Sequence, residues 1–387
     1  FKEKSFLDEF LSLFGVGDGG VGPKEENIEF GRRMANIEGA PRVRFDHAQR
    51  FFNDLKKHEN ELDTWVGELY LELHRGTLTS QAKVKKMNRL LENKLREVEI
   101  MWASADLQEY PAKRLDAVWK KVLINQFHDI LPGSSINKAY QTTNAEHEAA
   151  LTACKDLANE AATLLFQPDE ESLVVVNSLS NPFAGAVELP GGWRGASYGE
   201  TGAAVLVQQE ANGAIALLEL APFSFTTLKK EMSLTQAGEP VGNELTLEND
   251  LVRYVFDASG KIIYALDKEE QQDILAAGEQ GNVLSLYDDR PLEWDAWDVD
   301  LFYEDALIET LKAESAVRCC EGPVRQGLSF RYKFSGSTVE QNVFLAKDSK
   351  RLDFKTHVNW NEKHRMLRVS FAVNVQSEQA SFDIPYG

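Results

Sequence analysis

The segment VKKMNRLLENKLREVEIMW, residues 84–102, decides the fold class of the first half of the chain. Its apolar side chains recur every three or four positions, at Val84, Met87, Leu90, Leu91, Leu95, Val98 and Trp102. This spacing predicts a helix with one apolar face. Residues 115–127 and 136–165 repeat the pattern, and a shorter run covers residues 45–62. Because the loops between them are short, we expect an antiparallel helical bundle of three to four helices.

After Pro168 the pattern changes to short β-rich segments separated by Gly, Pro, Asn and Asp. Residues 172–177, 251–256, 328–334 and 352–359 are clear examples. Short strands with frequent turn residues are typical of antiparallel sheets. The sequence therefore predicts an α+β multidomain chain, in which the bundle is followed by an antiparallel β-sandwich region.

The composition narrows the range of partners. Among 387 residues, 61 are Asp or Glu and 42 are Lys or Arg, so the formal net charge is −19. This balance argues against nucleic acid and against an anionic membrane surface, because both require basic patches. The three cysteines, Cys154, Cys319 and Cys320, form no CxxC motif. They indicate neither a disulfide framework nor a cysteine zinc site, and a reducing, cytoplasmic setting is the simplest expectation.

The segment NQFHDILPGSS, residues 125–135, ends a strongly amphipathic helix. His128 follows Ile124 by four positions, so the two would share a face and His128 could point inward. A helix-end histidine is commonly a core or capping residue, and the second interpretation is a metal ligand. One histidine cannot hold zinc, which takes three or four protein ligands, so the others would have to come from elsewhere.

Two further segments are rich in polar and aromatic residues. GELYLELHRGTLTSQ, residues 67–81, is either an elaborate loop with a helix cap or a sugar-binding loop. The second segment is DDRPLEWDAWDVD, residues 288–300, which contains six acids and two tryptophans. Its interpretation stays open between a sugar site, a calcium loop and a plain surface loop.

Two glycine motifs match known patterns only formally. GVGDGG, residues 15–20, fits the dinucleotide fingerprint, but Pro23 breaks the turn that should follow and no second βαβ unit appears. GASYG, residues 195–199, fits the nucleophile elbow, but it lies in an all-β region without the required helix. We interpret both as loops.

Four segments together resemble the zinc-dependent α-mannosidases of glycoside hydrolase family 38, and most closely their cytosolic and bacterial branch. They are FGVGDGGVGP (14–23), GELYLELHRGTLTSQAKVKKMNRLLE (67–92), NQFHDILPGSSI (125–136) and DDRPLEWDAWDVD (288–300). Their order and approximate spacing also agree with the family.

The resemblance implies that the chain is the middle of a longer enzyme. Family members begin with a large α/β catalytic domain, whose His-x-Asp supplies two zinc ligands and whose later Asp is the nucleophile. The sequence contains no matching His-x-Asp. Residues 1–40 would then be the tail of the catalytic domain, residues 41–167 the helical middle domain, and residues 168–387 the first part of the C-terminal β region.

The resemblance also assigns roles to residues. His128 falls on the family's fourth zinc ligand, and Asp129 corresponds to an acidic residue that lines the same site. Asp18 falls at or next to the general acid, although some relatives carry two consecutive acids where this chain has Asp18 and Gly19. The candidate substrate contacts are His74, with Glu72 and Arg75 as weaker ones.

The activity implied by the resemblance is retaining, zinc-dependent hydrolysis of terminal α-mannosides. The expected partners are an α-mannoside oligosaccharide and the rest of the same polypeptide, and self-association into a homo-oligomer stays open. We expect the chain alone to be inactive, since it lacks the nucleophile. The alternative from a different class is a non-catalytic carbohydrate-binding or scaffold module.

Overall fold

The computed structural model describes residues 5–15, 22–66, 72–105, 109–167, 169–211, 213–232 and 244–381, without the side chains of residues 72 and 73. Internal contacts divide the chain into two units, residues 1–70 and residues 71–387.

The described residues of the first unit form four short helical elements: α1 (Glu25–Arg33), a 3-10 helix (Met34–Asn36), α2 (Ala48–Leu55) and a second 3-10 helix (Lys56–Glu61). The helix predicted over residues 45–62 is therefore present but divided. After α2 the chain continues as a 3-10 helix in which His58 has non-helical backbone angles. An ion pair between Arg50 and Asp46, 2.6 Å long, spans the first turn of α2.

Three long helices open the second unit, after a 3-10 helix (Glu72–Leu78): α3 (Ala82–Ala105), α4 (Ala112–Asn125) and α5 (Asn137–Leu165). They bury a shared apolar core, formed by Leu91, Leu95, Val98, Trp102, Leu115, Val118, Val122, Ala150, Cys154, Leu157 and Ala161. Inside this core, the indole Nε1 of Trp102 donates a hydrogen bond of 2.9 Å to the Leu157 carbonyl. Such burial of an apolar stripe stabilises a helix more than its intrinsic propensity does.

Polar contacts along the helix faces show the direction of α4. At its beginning, Arg114 forms a two-point ion pair with Glu160 near the end of α5, at 2.6 and 2.9 Å. At its end, Asn125 donates 2.8 Å to Glu146 near the beginning of α5. The helix α4 therefore runs opposite to α5.

The first sheet has six strands in the order β1-β6-β3-β4-β5-β2. Its strands are β1 (Ser172–Asn177), β2 (Phe183–Leu189), β3 (Gly195–Tyr198), β4 (Ala204–Glu210), β5 (Gly213–Leu220) and β6 (Ser224–Glu231). The interpretation of residues 195–199 as a loop is wrong, because residues 195–198 pair with β6 as strand β3. The Ser197 hydroxyl donates to the Glu231 carboxylate at 2.7 Å, whereas a nucleophilic serine would donate to its activating base.

Three further sheets follow, with orders β10-β9-β8-β7, β12-β11-β17 and β13-β14-β15-β16. Their strands are β7 (Thr246–Glu248), β8 (Val252–Phe256), β9 (Ile262–Asp267), β10 (Gln272–Asp273), β11 (Val283–Asp288), β12 (Leu307–Thr310), β13 (Ser315–Cys320), β14 (Arg325–Phe334), β15 (Ser337–Ala346), β16 (Leu352–Asn359) and β17 (Arg365–Ser370), with a 3-10 helix (Leu301–Asp305) before β12.

All strand pairings among the described residues are antiparallel, as predicted. The last three sheets share one apolar core that includes Leu247, Leu286, Phe330 and Val343. None of the described helices has the length and apolar character needed to cross a membrane. The fold is thus a mixture of helices and mainly antiparallel sheets.

The six-stranded sheet is tied to the sheet β13–β16 by buried polar contacts. The Gln208 side-chain oxygen accepts 2.9 Å hydrogen bonds from the backbone amides of Val324 and Arg325. The Arg325 guanidinium also binds the Glu210 carboxylate at 2.7 and 2.8 Å. Because these groups are largely buried, their mutual pairing removes most of the cost of withdrawing them from water.

Candidate active-site surface

The turn over residues 126–135 begins where α4 ends, at Asn125. Gln126 anchors the start of this turn to α3. Its side-chain amide donates to Asn88 at 3.1 Å and to Glu92 at 2.8 Å. These bonds fix the point at which the chain leaves the helix, and so they set the direction of the residues that follow.

His128 and Asp129 project from this turn, with side chains 72% and 55% exposed. The His128 Nε2 lies 3.4 Å from an Asp129 carboxylate oxygen, and its ring centroid lies 4.4 Å from that of Phe127. The prediction that His128 points inward with Ile124 is wrong, since both residues are exposed. The helix ends before His128, so the four-residue spacing no longer places it on a helix face.

Gly133 brings the turn against the segment before α3. Its φ of +97° lies in the region that favours glycine, and a β-carbon there would overlap the Ser80 backbone carbonyl. The Lys85 ammonium completes this junction by donating to the carbonyls of Ser80 and, at 2.8 Å, Leu131. Burial lowers the pKa of Lys85 to about 8. Lys85 therefore links two of the segments that sequence analysis singled out.

The 3-10 helix Glu72–Leu78 carries the candidate substrate contacts and meets the acidic loop. The His74 ring centroid lies 5.1 Å from that of Trp297, and the Gly76 amide donates to the Trp297 carbonyl at 2.9 Å. A β-carbon on Gly76 would approach the Asp298 backbone to 2.9 Å, so glycine permits the contact. Arg75, which stands between His74 and Gly76 in the sequence, is partly buried. The backbone of Glu72 belongs to the 3-10 helix, and its side chain is not among the described groups.

The acidic loop, residues 288–300, is folded back by its own backbone. Trp294, with a φ of +63°, accepts hydrogen bonds at its carbonyl from the amides of Trp297 (2.7 Å) and Asp298 (3.0 Å). The Ser80 hydroxyl donates 2.9 Å to the carbonyl of Ala296, which adds a second link to the helical part. Burial, followed by the charges of neighbouring acids, raises the pKa of Asp289 in the same loop.

These contacts bring together three of the four segments. The turn 126–135, the 3-10 helix with its following cap, and the acidic loop all meet around Ser80. Asp18, in the fourth segment, lies outside the described residues. Among the residues that the structure describes, no group of three His, Cys, Asp or Glu side chains could hold a metal ion. A zinc ion at His128 would need donors beyond the described set.

Comparison with known families matches two parts of the chain. Residues 72–165 match the model described as "Alpha mannosidase middle domain", and residues 247–387 match "Glycosyl hydrolases family 38 C-terminal domain". This chain belongs to glycoside hydrolase family 38. The resemblance inferred from the four segments is thereby confirmed.

Curated relatives of the family 38 chain extend well beyond it. "Alpha-mannosidase 2C1" of Homo sapiens is 32% identical over 394 residues, a span of 100% of this chain and 37% of the human protein. "Alpha-mannosidase G" of Dictyostelium discoideum is 29% identical over 436 residues, covering 100% of this chain and 40% of that protein. The chain thus spans well under half the length of these relatives.

Solved structures show the same fold. A protein in glycosyl hydrolase family 38 from Enterococcus faecalis has a TM-score of 0.60 at 18% identity, covering 90% of this chain and 53% of its own. An alpha-mannosidase from Enterococcus faecalis V583 has a TM-score of 0.62 at 16% identity, covering 90% of this chain and 50% of its own.

Sequence reasoning missed two residues that organise this surface of the family 38 chain. Lys85 follows the buried Val84 in helix α3. A lysine next to a predicted core position is the one feature of the sequence that could have indicated its role. In the sequence, Trp297 is one residue of the acidic loop with no distinguishing signal. No pattern in the sequence indicates that its ring meets His74, which is more than 200 positions away.

Proposed function

We propose that this chain contributes to a retaining, zinc-dependent α-mannosidase that removes terminal α-mannosyl residues from glycans or other mannosides. The observation that carries this proposal is the full-length match of the chain to relatives named alpha-mannosidase. The exposed His128–Asp129 pair supports it, because the pair lies in a segment joined to the predicted sugar-binding loop through Lys85 and Gly133.

In this proposal His128 supplies one zinc ligand. A neutral imidazole has a lone pair for a metal, and the exposed ring can meet an ion held by donors from outside the described residues. Asp129, 3.4 Å away, would line the same site and orient the ring. Zinc, when bound, would polarise sugar hydroxyls and stabilise the charge of the transition state.

The carboxyl chemistry needs residues beyond this turn. Retaining hydrolysis uses a nucleophilic carboxylate and an acid about 5–5.5 Å apart. We assign the acid role to Asp18 and expect the nucleophile from residues that do not belong to this sequence. We therefore propose that residues 1–387 alone do not hydrolyse mannosides.

Sugar recognition is assigned to the 3-10 helix Glu72–Leu78. His74 would contact the sugar, with Trp297 behind its ring, and Arg75 and Glu72 would bind hydroxyls. The backbone bond between Gly76 and Trp297 supports this assignment, because it holds the segment on a rigid partner.

Trp294 favours a second candidate, the non-catalytic carbohydrate-binding module. This residue is 71% exposed within a loop rich in acids, and its ring can pack on the face of a sugar. A binding experiment distinguishes the mannosidase from the carbohydrate-binding module. Glycan binding that survives a chelator and the substitution His128→Ala, in a full-length protein without turnover, supports the module.

The proposed activity is tested by hydrolysis of an aryl α-mannoside with the full-length protein that contains this sequence. Loss of a metal ligand should lower kcat/KM of His128→Ala at least about 100-fold, and a chelator should abolish wild-type activity. His357→Ala is the matched control, since His357 is an exposed histidine on strand β16. Chelator-insensitive activity, or full activity in His128→Ala, would reject the zinc assignment.

We further propose a reducing, cytoplasmic location, which the three unbridged cysteines support. The domain limits inferred from sequence, at residues 40/41 and 167/168, also remain proposals. Limited proteolysis of the full-length protein tests them, because domain boundaries are cut before domain interiors.

A further inference from the structure

Two adjacent cysteines lie at the end of strand β13, where the strand is irregular. Arg318 pairs with Leu328 and Cys320 pairs with Gly327, so Cys319 has no counterpart on β14. In a regular strand, neighbouring side chains point to opposite faces of the sheet. A bulge places two residues opposite one and removes that alternation. Both thiols can therefore lie on the same side of the strand.

Gly327 provides the space that the two thiols share. The position that a β-carbon would occupy on residue 327 is 2.8 Å from the Cys320 sulfur and 2.9 Å from the Cys319 sulfur. The Phe344 ring closes the same space from the next strand, also at 2.8 Å from that position. Any larger residue at 327 would displace at least one of these groups, so the glycine and the bulge together gather two sulfurs around one point.

The surroundings favour reaction at Cys319. The neighbouring Cys320 thiol lowers the pKa of Cys319, although burial and the Glu210 carboxylate work against it. The Arg325 guanidinium, which is paired with Glu210, also lowers the pKa of Cys319. Cys320 is buried and Cys319 only partly so. A small reagent can therefore reach a partly exposed, activated thiol with a second thiol directly behind it.

We propose that Cys319 and Cys320 form a dithiol site that chelates one thiophilic centre of the trivalent arsenical class. With an organoarsenic(III) oxide, two As–S bonds form, the As–O bonds break, and the oxygen leaves as water with both thiol protons. No electrons are transferred, so no oxidant is required. This site is independent of the proposed mannosidase activity.

Chelation suits this pair better than a disulfide. Consecutive Cα atoms lie about 3.8 Å apart across a trans peptide, whereas disulfides usually span about 4.4–6.8 Å. A direct S–S bond between neighbours would therefore be strained and easily reduced. A bridging atom between the sulfurs removes that strain, because the two sulfurs need not come within bonding distance of each other.

The test uses phenylarsine oxide as the probe and the intact mass of the full-length protein as the readout. Among the three cysteines of this sequence, we expect only the Cys319–Cys320 pair to carry an adduct that persists in excess monothiol and is released by 2,3-dimercaptopropanol. Cys319→Ser and Cys320→Ser should each release the adduct to monothiol at least about tenfold faster than the wild type. Cys154→Ala is the control and should retain it, since Cys154 is a single thiol buried in the helical core.

Mapping the adduct keeps the test decisive if a variant fails to fold. After proteolysis of the labelled wild type, the arsenical should be on the peptide that contains Cys319 and Cys320. Removal by monothiol from the wild type, retention in either serine variant, or mapping to Cys154 would each overturn the proposal.

Discussion

Two histidines of the helical part differ in almost every physical respect. His128 lies in the turn after α4 and is 72% exposed, with Asp129 beside it. His147 lies in α5 and is 1% exposed, and neither ring nitrogen has a hydrogen-bond partner among the described residues. The first can donate a lone pair to a ligand, whereas the second acts as part of the packing. Residue type alone does not identify a site, because accessibility decides which chemistry is available.

The turn that presents His128 depends on close backbone approach, and Gly133→Ala should cause the largest loss of stability. The new methyl group would meet the Ser80 carbonyl at a positive φ, at a cost of about 2–4 kcal/mol in the free energy of unfolding. Gly192→Ala is the matched control, since Gly192 has a φ of +85° and open space around it. Urea unfolding of both variants measures the difference. Equal losses would show that the contact with Ser80 contributes nothing.

Lys85→Met should cause the next largest effect on the turn. It removes the donor that serves the carbonyls of Ser80 and Leu131, which is worth about 1–3 kcal/mol. Lys86→Met controls for the loss of charge, because Lys86 is exposed on the same helix. If the two variants unfold at the same urea concentration, the junction does not depend on Lys85.

The burial of His147 predicts that the free energy of unfolding depends on pH, by at most about 1.4 kcal/mol per pH unit. Burial lowers the pKa of His147, and Lys83 lowers it further while Glu146 opposes both. Below pH 6.5 the unfolded chain binds a proton that the folded chain does not, so stability falls as the pH falls. His147→Phe should remove this dependence from urea unfolding between pH 7 and 5. An unchanged pH dependence in that variant would contradict a neutral, buried His147.

Trp297→Leu should have the smallest effect. It removes the ring contact with His74 but leaves the backbone bond to Gly76, a loss of about 0.5–1.5 kcal/mol. If His74 contacts the sugar, KM of the full-length enzyme should rise several-fold while kcat changes little. Leu292→Ala removes an exposed apolar side chain of the same loop and serves as the comparison. Equal changes in KM for both variants would contradict the prediction that Trp297 positions His74.

The local elements were largely predictable from sequence, and the surface they build was not. The apolar repeat in residues 84–102 predicted the buried face of α3, and strands β1 and β16 have the predicted limits. Strands β2, β6 and β10 to β13 were not predicted. Strand β6, for example, has the sequence SFTTLKKE, in which only Phe225 and Leu228 are apolar.

His128 shows why the site was harder to predict. Its orientation depends on where α4 ends, and the ends of helices are the least reliable part of a sequence-based prediction. The contacts of Ser80 with Gly133, Lys85 and Ala296 depend on tertiary packing across up to 216 positions of sequence. The family motifs identified the segments, but only the folded chain shows that they meet.

The central claim is that His128, and not His147, serves the metal. The most direct measurement is the zinc affinity of the full-length protein, determined by competition with a chromophoric chelator. We predict that His128→Ala weakens zinc binding at least about 100-fold, while His147→Phe and His357→Ala leave it unchanged. Wild-type zinc affinity in His128→Ala would contradict the account.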